Sequence, residues 1–140
     1  MNTNEDFYHI STIFEQDLPS ISQIENASYK YPWSKQSILN QINSQNAYNR
    51  SIYLDHNSSK LVGYIFGYTV LNDLYITNIC IDPEFLKRKL ASKLLKNLFN
   101  EAKSFNVNSI FLEVRKSNFA AKSLYKKSMA KIKIIVILHL

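Results

Sequence analysis

Cysteine, glycine and proline are scarce in this chain. One cysteine, Cys80, among 140 residues has no partner for an intramolecular disulfide. No cluster of Cys and His stands at metal-ligand spacing, so no metal site is expected and a reduced, cytoplasmic setting is the default. Gly63 and Gly67 are the only glycines, and each is expected to mark tight packing or a bulge. No stretch approaches eighteen consecutive apolar residues, and Met1 to Ile10 is polar and acidic rather than basic then apolar. Neither a membrane span nor an export signal is therefore expected. The apolar tail Ile132 to Leu140 is too short to cross a bilayer and reads as a buried strand. His9, His56 and His139 are scattered among unrelated elements, and no Ser or Cys nucleophile pattern accompanies them, which speaks against triad chemistry.

The composition is that of one globular domain, 1–140, with 46% hydrophobic and 20% charged residues and a core fed by nine Tyr and eight Phe. A net charge of +6 suits an anionic partner. The cations cluster: Lys87, Arg88, Lys89 and Lys93 in one segment, Arg115, Lys116, Lys122, Lys126, Lys127, Lys131 and Lys133 in another. A phosphorylated cofactor fits this distribution. Nucleic acid is disfavoured, because no recognised binding motif accompanies the charge.

Taken in order, Tyr8 to Phe14 alternates as a first strand. Asp17-Leu18-Pro19 then opens a helix, with Asp17 as cap and Pro19 in the first turn. Tyr31-Pro32-Trp33-Ser34 breaks that helix, and Ser34 caps a second running to about Ser44. Trp33 reads as a ring packed under that loop as core. Ser51 to Asp55 and Leu61 to Val70 read as antiparallel strands joined by His56 to Ser59, and Leu74 to Ile81 as a fourth strand. After Asp82-Pro83 comes an amphipathic helix in which Leu86, Leu90, Leu94 and Leu98 recur every fourth residue.

The stretch Leu112 to Tyr125 is the most informative. Ile110 to Val114 alternates as a strand, with Phe111 and Glu113 on one face and Leu112 and Val114 on the other. Ser117 or Asn118 caps the helix that follows. Asn118 and Tyr125 are seven residues apart, close to two turns, so they project from nearly the same helix face roughly 10 Å apart along the axis. The chain has Leu112, Glu113, Val114, Arg115, Ser117, Asn118, Ala121, Leu124 and Tyr125 in the pattern Leu-Glu-Val-Arg-x-Ser-Asn-x-x-Ala-x-x-Leu-Tyr. This pattern resembles the closing segment of the acetyl-coenzyme A-dependent N-acetyltransferases of the GNAT superfamily, in particular those acetylating the N-terminus of a ribosomal protein that starts with alanine.

The resemblance implies an α/β fold: a GNAT-like mixed, mostly antiparallel sheet with helices on both faces, short by one C-terminal strand. It implies an acyltransferase using acetyl-coenzyme A, with a protein N-terminus as acceptor. In it the Pro32-Trp33-Ser34 corner matches a loop that borders the acceptor groove, so that Trp33 is either core or a substrate contact. Glu113 matches the residue that deprotonates the amine, and Tyr125 the acid that protonates the departing thiolate. Ile79, Cys80 and Ile81 match a bulged segment whose main-chain N–H groups hold the thioester and the pantetheine arm, and Asn118 matches a side chain that binds the cofactor. Lys87, Arg88, Lys89, Leu90, Ala91 and Ser92 stand where the family has its pyrophosphate loop. There Lys89 replaces a Gly and Leu86 a polar residue, so Lys89 is expected to be strained and its Cβ to crowd the phosphate. Beyond Met129-Ala130 the sequence departs from the family, and one strand and an acceptor-side loop are expected to be missing. The alternative is a non-catalytic or decayed remnant that binds cofactor or a partner without turnover. Residues 132 to 138 are expected to form a strand open to self-association.

Overall fold

A computed structural model describes residues 7–55, 59–115 and 133–139. Six strands form one sheet in sequential order: β1 (Phe7–Thr12), β2 (Ala47–Asp55), β3 (Ser59–Val70), β4 (Asp73–Ile81), β5 (Ser109–Arg115) and β6 (Lys133–His139). β1 to β4 pair antiparallel, whereas β4–β5 and β5–β6 run parallel. Helices α1 (Leu18–Ser28) and α2 (Lys35–Asn43) cover one face, where Ile21, Ile24 and Ile38 meet Tyr64 and Phe66. Helix α3 (Leu90–Ser104) covers the other, packing Leu94, Leu95 and Leu98 onto Ile65, Ile76, Ile110 and Leu112. The mixed, mostly antiparallel sheet with helices on both faces is thus the observed architecture. The helix expected around Asn118 and Tyr125 lies outside the described residues.

Three local expectations need correction. Asp17 does not cap α1 with its side chain. Its carboxylate accepts from the Phe14 N–H at 2.8 Å and from the Tyr53 hydroxyl at 2.6 Å, anchoring the turn before α1 to β2. Strand β2 begins at Ala47 rather than Ser51. Its first half buries polar groups that blur the alternation: the Tyr48 hydroxyl donates to Glu101, and Asn49 donates to the Gln41 carbonyl while accepting from the Gln41 amide. Leu86, finally, is not in α3. It is exposed in a turn, because Lys87 and Lys89 take positive φ and the helix cannot start before Leu90.

Both glycines lie beside register shifts. Gly63 follows Val62, the extra residue where β3 pairs with β2. Gly67 pairs with Ile76 while Phe66 pairs with Asn78, which leaves Thr77 as an extra residue on β4. A Cβ at Gly67 would stand 2.5 Å from the Tyr75 carbonyl oxygen and 2.7 Å from Ile76 Cδ1. A backbone atom cannot swing aside as a side chain can. Gly67→Ala is accordingly expected to cost about 2 kcal/mol in urea unfolding, and Gly67→Val more. An unchanged midpoint for Gly67→Ala would show that the two strands can separate there freely.

Candidate active site

The extra residue Thr77 sets the geometry of the site. Without it, Ile76 and Asn78 would share a face of β4. With it, Ile76 faces α3 while Asn78 turns to α1, where its amide donates to Glu25. A bulge also bends the strand that carries it. Pairing between β4 and β5 runs from Asp73–Ser109 to Ile76–Leu112 and stops there. Beyond that point β4 continues to Ile81 without β5, and β5 continues to Arg115 against β6. A cleft therefore opens between the two parallel strands. The irregularity sits at Thr77, opposite Gly67, a correction to the bulge expected at Ile79, Cys80 and Ile81, which pair in unbroken register with Ile65, Tyr64 and Gly63.

Those three residues form the β4 wall of the cleft. Asp82 donates its N–H to the Val62 carbonyl at 2.8 Å, so the alternation along the strand turns the Cys80 N–H toward β3 as well. The N–H groups of Ile79 and Ile81 then point to the side that β5 has left. Cys80 itself is buried among α1 residues, and its thiol is pushed above the ordinary range, chiefly by burial. Tyr29, just past α1, donates its hydroxyl to the Ile79 carbonyl at 3.2 Å. Across the cleft, Glu113 is exposed on β5, on the face opposite the fully buried Leu112.

One end of β4 leads into the basic loop. Asp82 caps a single helical turn, Pro83–Phe85, by accepting from the Glu84 N–H at 3.0 Å. Lys87 and Lys89 then adopt φ of 64° and 61°, and Lys89 is the N-cap of α3. The loop keeps the left-handed backbone for which glycine is favoured, although two lysines occupy it. The first helical bond runs from the Lys93 N–H to the Lys89 carbonyl, so the N–H groups of Leu90, Ala91 and Ser92 precede it. Donors at the start of a fifteen-residue helix, with Lys87, Arg88 and Lys89 exposed around them, suit phosphate. The Arg88 guanidinium also lies over the Phe85 ring, 4.8 Å from its centroid.

Sequence reasoning passed over Glu25. Its carboxylate is 1% exposed and accepts from the Tyr64 hydroxyl, the Asn78 amide and the Trp33 N–H. These contacts bind α1 to β3, to the bulge and to the turn before α2. The Tyr64 phenol, buried against Cys80 and Glu25, is pushed far above its ordinary range. Trp33 stacks on Phe66 with centroids 5.5 Å apart, which makes its ring part of this packing. An acid within the stripe Ile21, Ile24, Glu25 was the available signal. Asn118 and Tyr125 lie outside the described residues.

A lysine in the left-handed region carries about 1 kcal/mol of strain that glycine avoids. Lys89→Gly is expected to tighten coenzyme A binding in calorimetry, by clearing the phosphate's approach to the backbone, despite the loss of a cation worth roughly 1 kcal/mol in a partly exposed site. Weaker binding would instead identify the Lys89 side chain as a phosphate ligand.

The sequence and the fold are both shared with known proteins. The model of the acetyltransferase (GNAT) family matches residues 18–130. The [ribosomal protein bS18]-alanine N-acetyltransferase of Haemophilus ducreyi is 34% identical over 116 residues, covering 83% of this chain and 77% of that protein. The enzyme of the same name from Escherichia coli K12 is 31% identical over 117 residues, covering 84% of this chain and 76% of its own length. The crystal structure of the Escherichia coli ribosomal-protein-S18-alanine N-acetyltransferase superposes with a TM-score of 0.76 at 29% identity, covering 86% of this chain and 75% of that one. An N-acetyltransferase from Thermoplasma acidophilum, in complex with coenzyme A, shares the fold at 20% identity and a TM-score of 0.73. The chain belongs to the acetyltransferase (GNAT) family and is an N-acetyltransferase that uses acetyl-coenzyme A.

Proposed function

We propose that the chain transfers the acetyl group of acetyl-coenzyme A to the α-amine of a protein N-terminus, in the cytoplasm, and that its acceptor is a ribosomal protein beginning with alanine. The observation that carries this reading is the exposed Glu113 one residue beyond the point where β4 and β5 part, next to a strand whose Ile79 and Ile81 N–H groups are left without β5. The names of the similar enzymes point to the same acceptor. The donor's phosphates would lie at Leu90, Ala91 and Ser92 with Lys87, Arg88 and Lys89 around them. Its pantetheine arm would run along Ile79 to Ile81, with Asn118 as a further contact. The left-handed backbone at Lys87 and Lys89 supports a phosphate loop that works without glycine, which speaks against decay of the donor site.

The reaction divides its protons between two residues. A terminal amine titrates at roughly 7.7 to 8.0, so near neutral pH most of it must lose a proton before its nitrogen can attack the thioester carbon. Glu113 takes that proton through water. Donors of the β4 wall stabilise the oxyanion, and the C–S bond breaks as Tyr125 protonates the departing thiolate. With an alanine-starting peptide as acceptor, Glu113→Gln is expected to lower kcat/KM by about 100-fold or more, with the largest loss below pH 7.5, where the amine is mostly protonated. Tyr125→Phe should slow turnover at every pH. Steady-state assays of released coenzyme A check both, and normal rates in the two variants would remove these roles.

The sheet edge carries a second proposal. Among the described residues β6 pairs only with β5, so its other side presents unpaired N–H and C=O groups. We propose that β6 joins a second copy of the chain through residues 132 to 138. Light scattering is expected to give twice the chain mass, and Ile135→Lys to shift it toward the monomer. A monomer at high concentration for the unmodified chain would exclude this pairing.

A further inference from the structure

On the face opposite α3 the sheet carries a row of three rings that the proton transfers do not use. Tyr68 on β3, Tyr75 on β4 and Phe111 on β5 are direct cross-strand partners. Tyr68 and Tyr75 stack with centroids 5.1 Å apart and planes 5° apart, and Tyr75 and Phe111 with centroids 4.5 Å and planes 6° apart. Rings stacked so closely occupy one another's faces. What they turn away from the sheet is edges and, on the two tyrosines, hydroxyls.

All three side chains are only half-buried, and among the described residues neither the Tyr68 nor the Tyr75 hydroxyl makes a hydrogen bond. Stacking alone would be served equally well by phenylalanine. Other tyrosines on this face do use their hydroxyls: Tyr64 donates to Glu25, and Tyr53 to Asp17. Two unused donors in one row, beside the cleft, ask for an acceptor from outside the described fold.

The row also lies where the acceptor has to pass. Phe111 and Glu113 share a face of β5, two residues apart, or roughly 7 Å along the strand. The other face is closed, since Ile110 and Leu112 are fully buried under α3. The face that holds the rings is therefore the one open to a polypeptide whose amine has reached Glu113. From Phe111 to Tyr68 is two strand spacings, about 10 Å, which an extended chain rising about 3.4 Å per residue covers with three residues.

We propose that Tyr68, Tyr75 and Phe111 form the floor for acceptor residues 2 to 4. The Tyr75 and Tyr68 hydroxyls donate to their main-chain carbonyls, and the Phe111 edge packs against residue 2. Such recognition reads extended backbone rather than particular side chains. It rests on the proposed acetylation of a protein N-terminus, and it assigns that site a requirement for acceptor length.

The test compares alanine-starting acceptors of two and eight residues on the wild type and on the Tyr68→Phe/Tyr75→Phe double variant, which keeps the stacked rings. The wild type is expected to show a lower KM for the octapeptide than for the dipeptide, and the double variant to lose 5- to 20-fold of that preference. A merely structural role would shift the melting temperature without changing the ratio. No preference in the wild type, or an undiminished one in the variant, would overturn the proposal. If the wild type acetylates neither peptide, the functional reading itself fails. The row is then read by fluorescence anisotropy of a labelled octapeptide: saturable binding weakened in the double variant supports it, and absent or unaffected binding refutes it.

Discussion

The parting of β4 from β5 after Ile76 and Leu112 is the constraint on which the rest of this structure depends. Parallel neighbours in a sheet ordinarily stay paired along their common length, since each broken rung leaves a donor and an acceptor to be satisfied elsewhere. Here the rungs end because Thr77 is accommodated opposite Gly67, and the released donors at Ile79 and Ile81 become available to a ligand. The same extra residue sends Ile76 to the α3 core and Asn78 to Glu25, so one insertion both opens the cleft and ties its wall to α1.

Glu25 complements this arrangement. A carboxylate so deeply buried is costly unless its lone pairs are filled, and three neutral donors fill them. Those donors come from β3, from β4 and from the turn before α2, so the helical layer and the bulged strand are fixed relative to each other by one polar centre. The Trp33 main chain is held by hydrogen bonding and its ring by stacking on Phe66. The segment facing the cleft from α1 is thereby kept in one place without contributing to the sheet.

What could be read in the sequence followed from strong local signals. Alternation in Ile110 to Val114 identified β5 and put Glu113 opposite the buried Leu112, and Ser34 caps α2 as read, accepting from the Ser37 N–H at 3.1 Å. The glycines were legible as bulge or packing markers because nothing else in so glycine-poor a chain could serve. The location of the bulge was not, since it is a property of how two strands pair and leaves no mark on Thr77 itself. The leucine repeat misled at Leu86, because positive φ at Lys87 and Lys89 is imposed by the loop against the preference of those residues. Tyr48 and Asn49 hid the first half of β2 for a related reason: their burial is stabilised by partners in α3 and α2 that no local pattern reveals.

The orientation of Cys80 bears on chemical selectivity. Exchange between a thioester and a free thiolate is nearly even in energy, so a reactive cysteine in a cleft that handles acetyl-coenzyme A would compete with the amine and acylate the enzyme. Cys80 stands in the wall of the cleft proposed to take that donor, yet its side chain points into the layer beneath α1, and burial favours the neutral, weakly nucleophilic thiol. With the donor in that proposed place, the alternation of a single strand protects the enzyme from modifying itself.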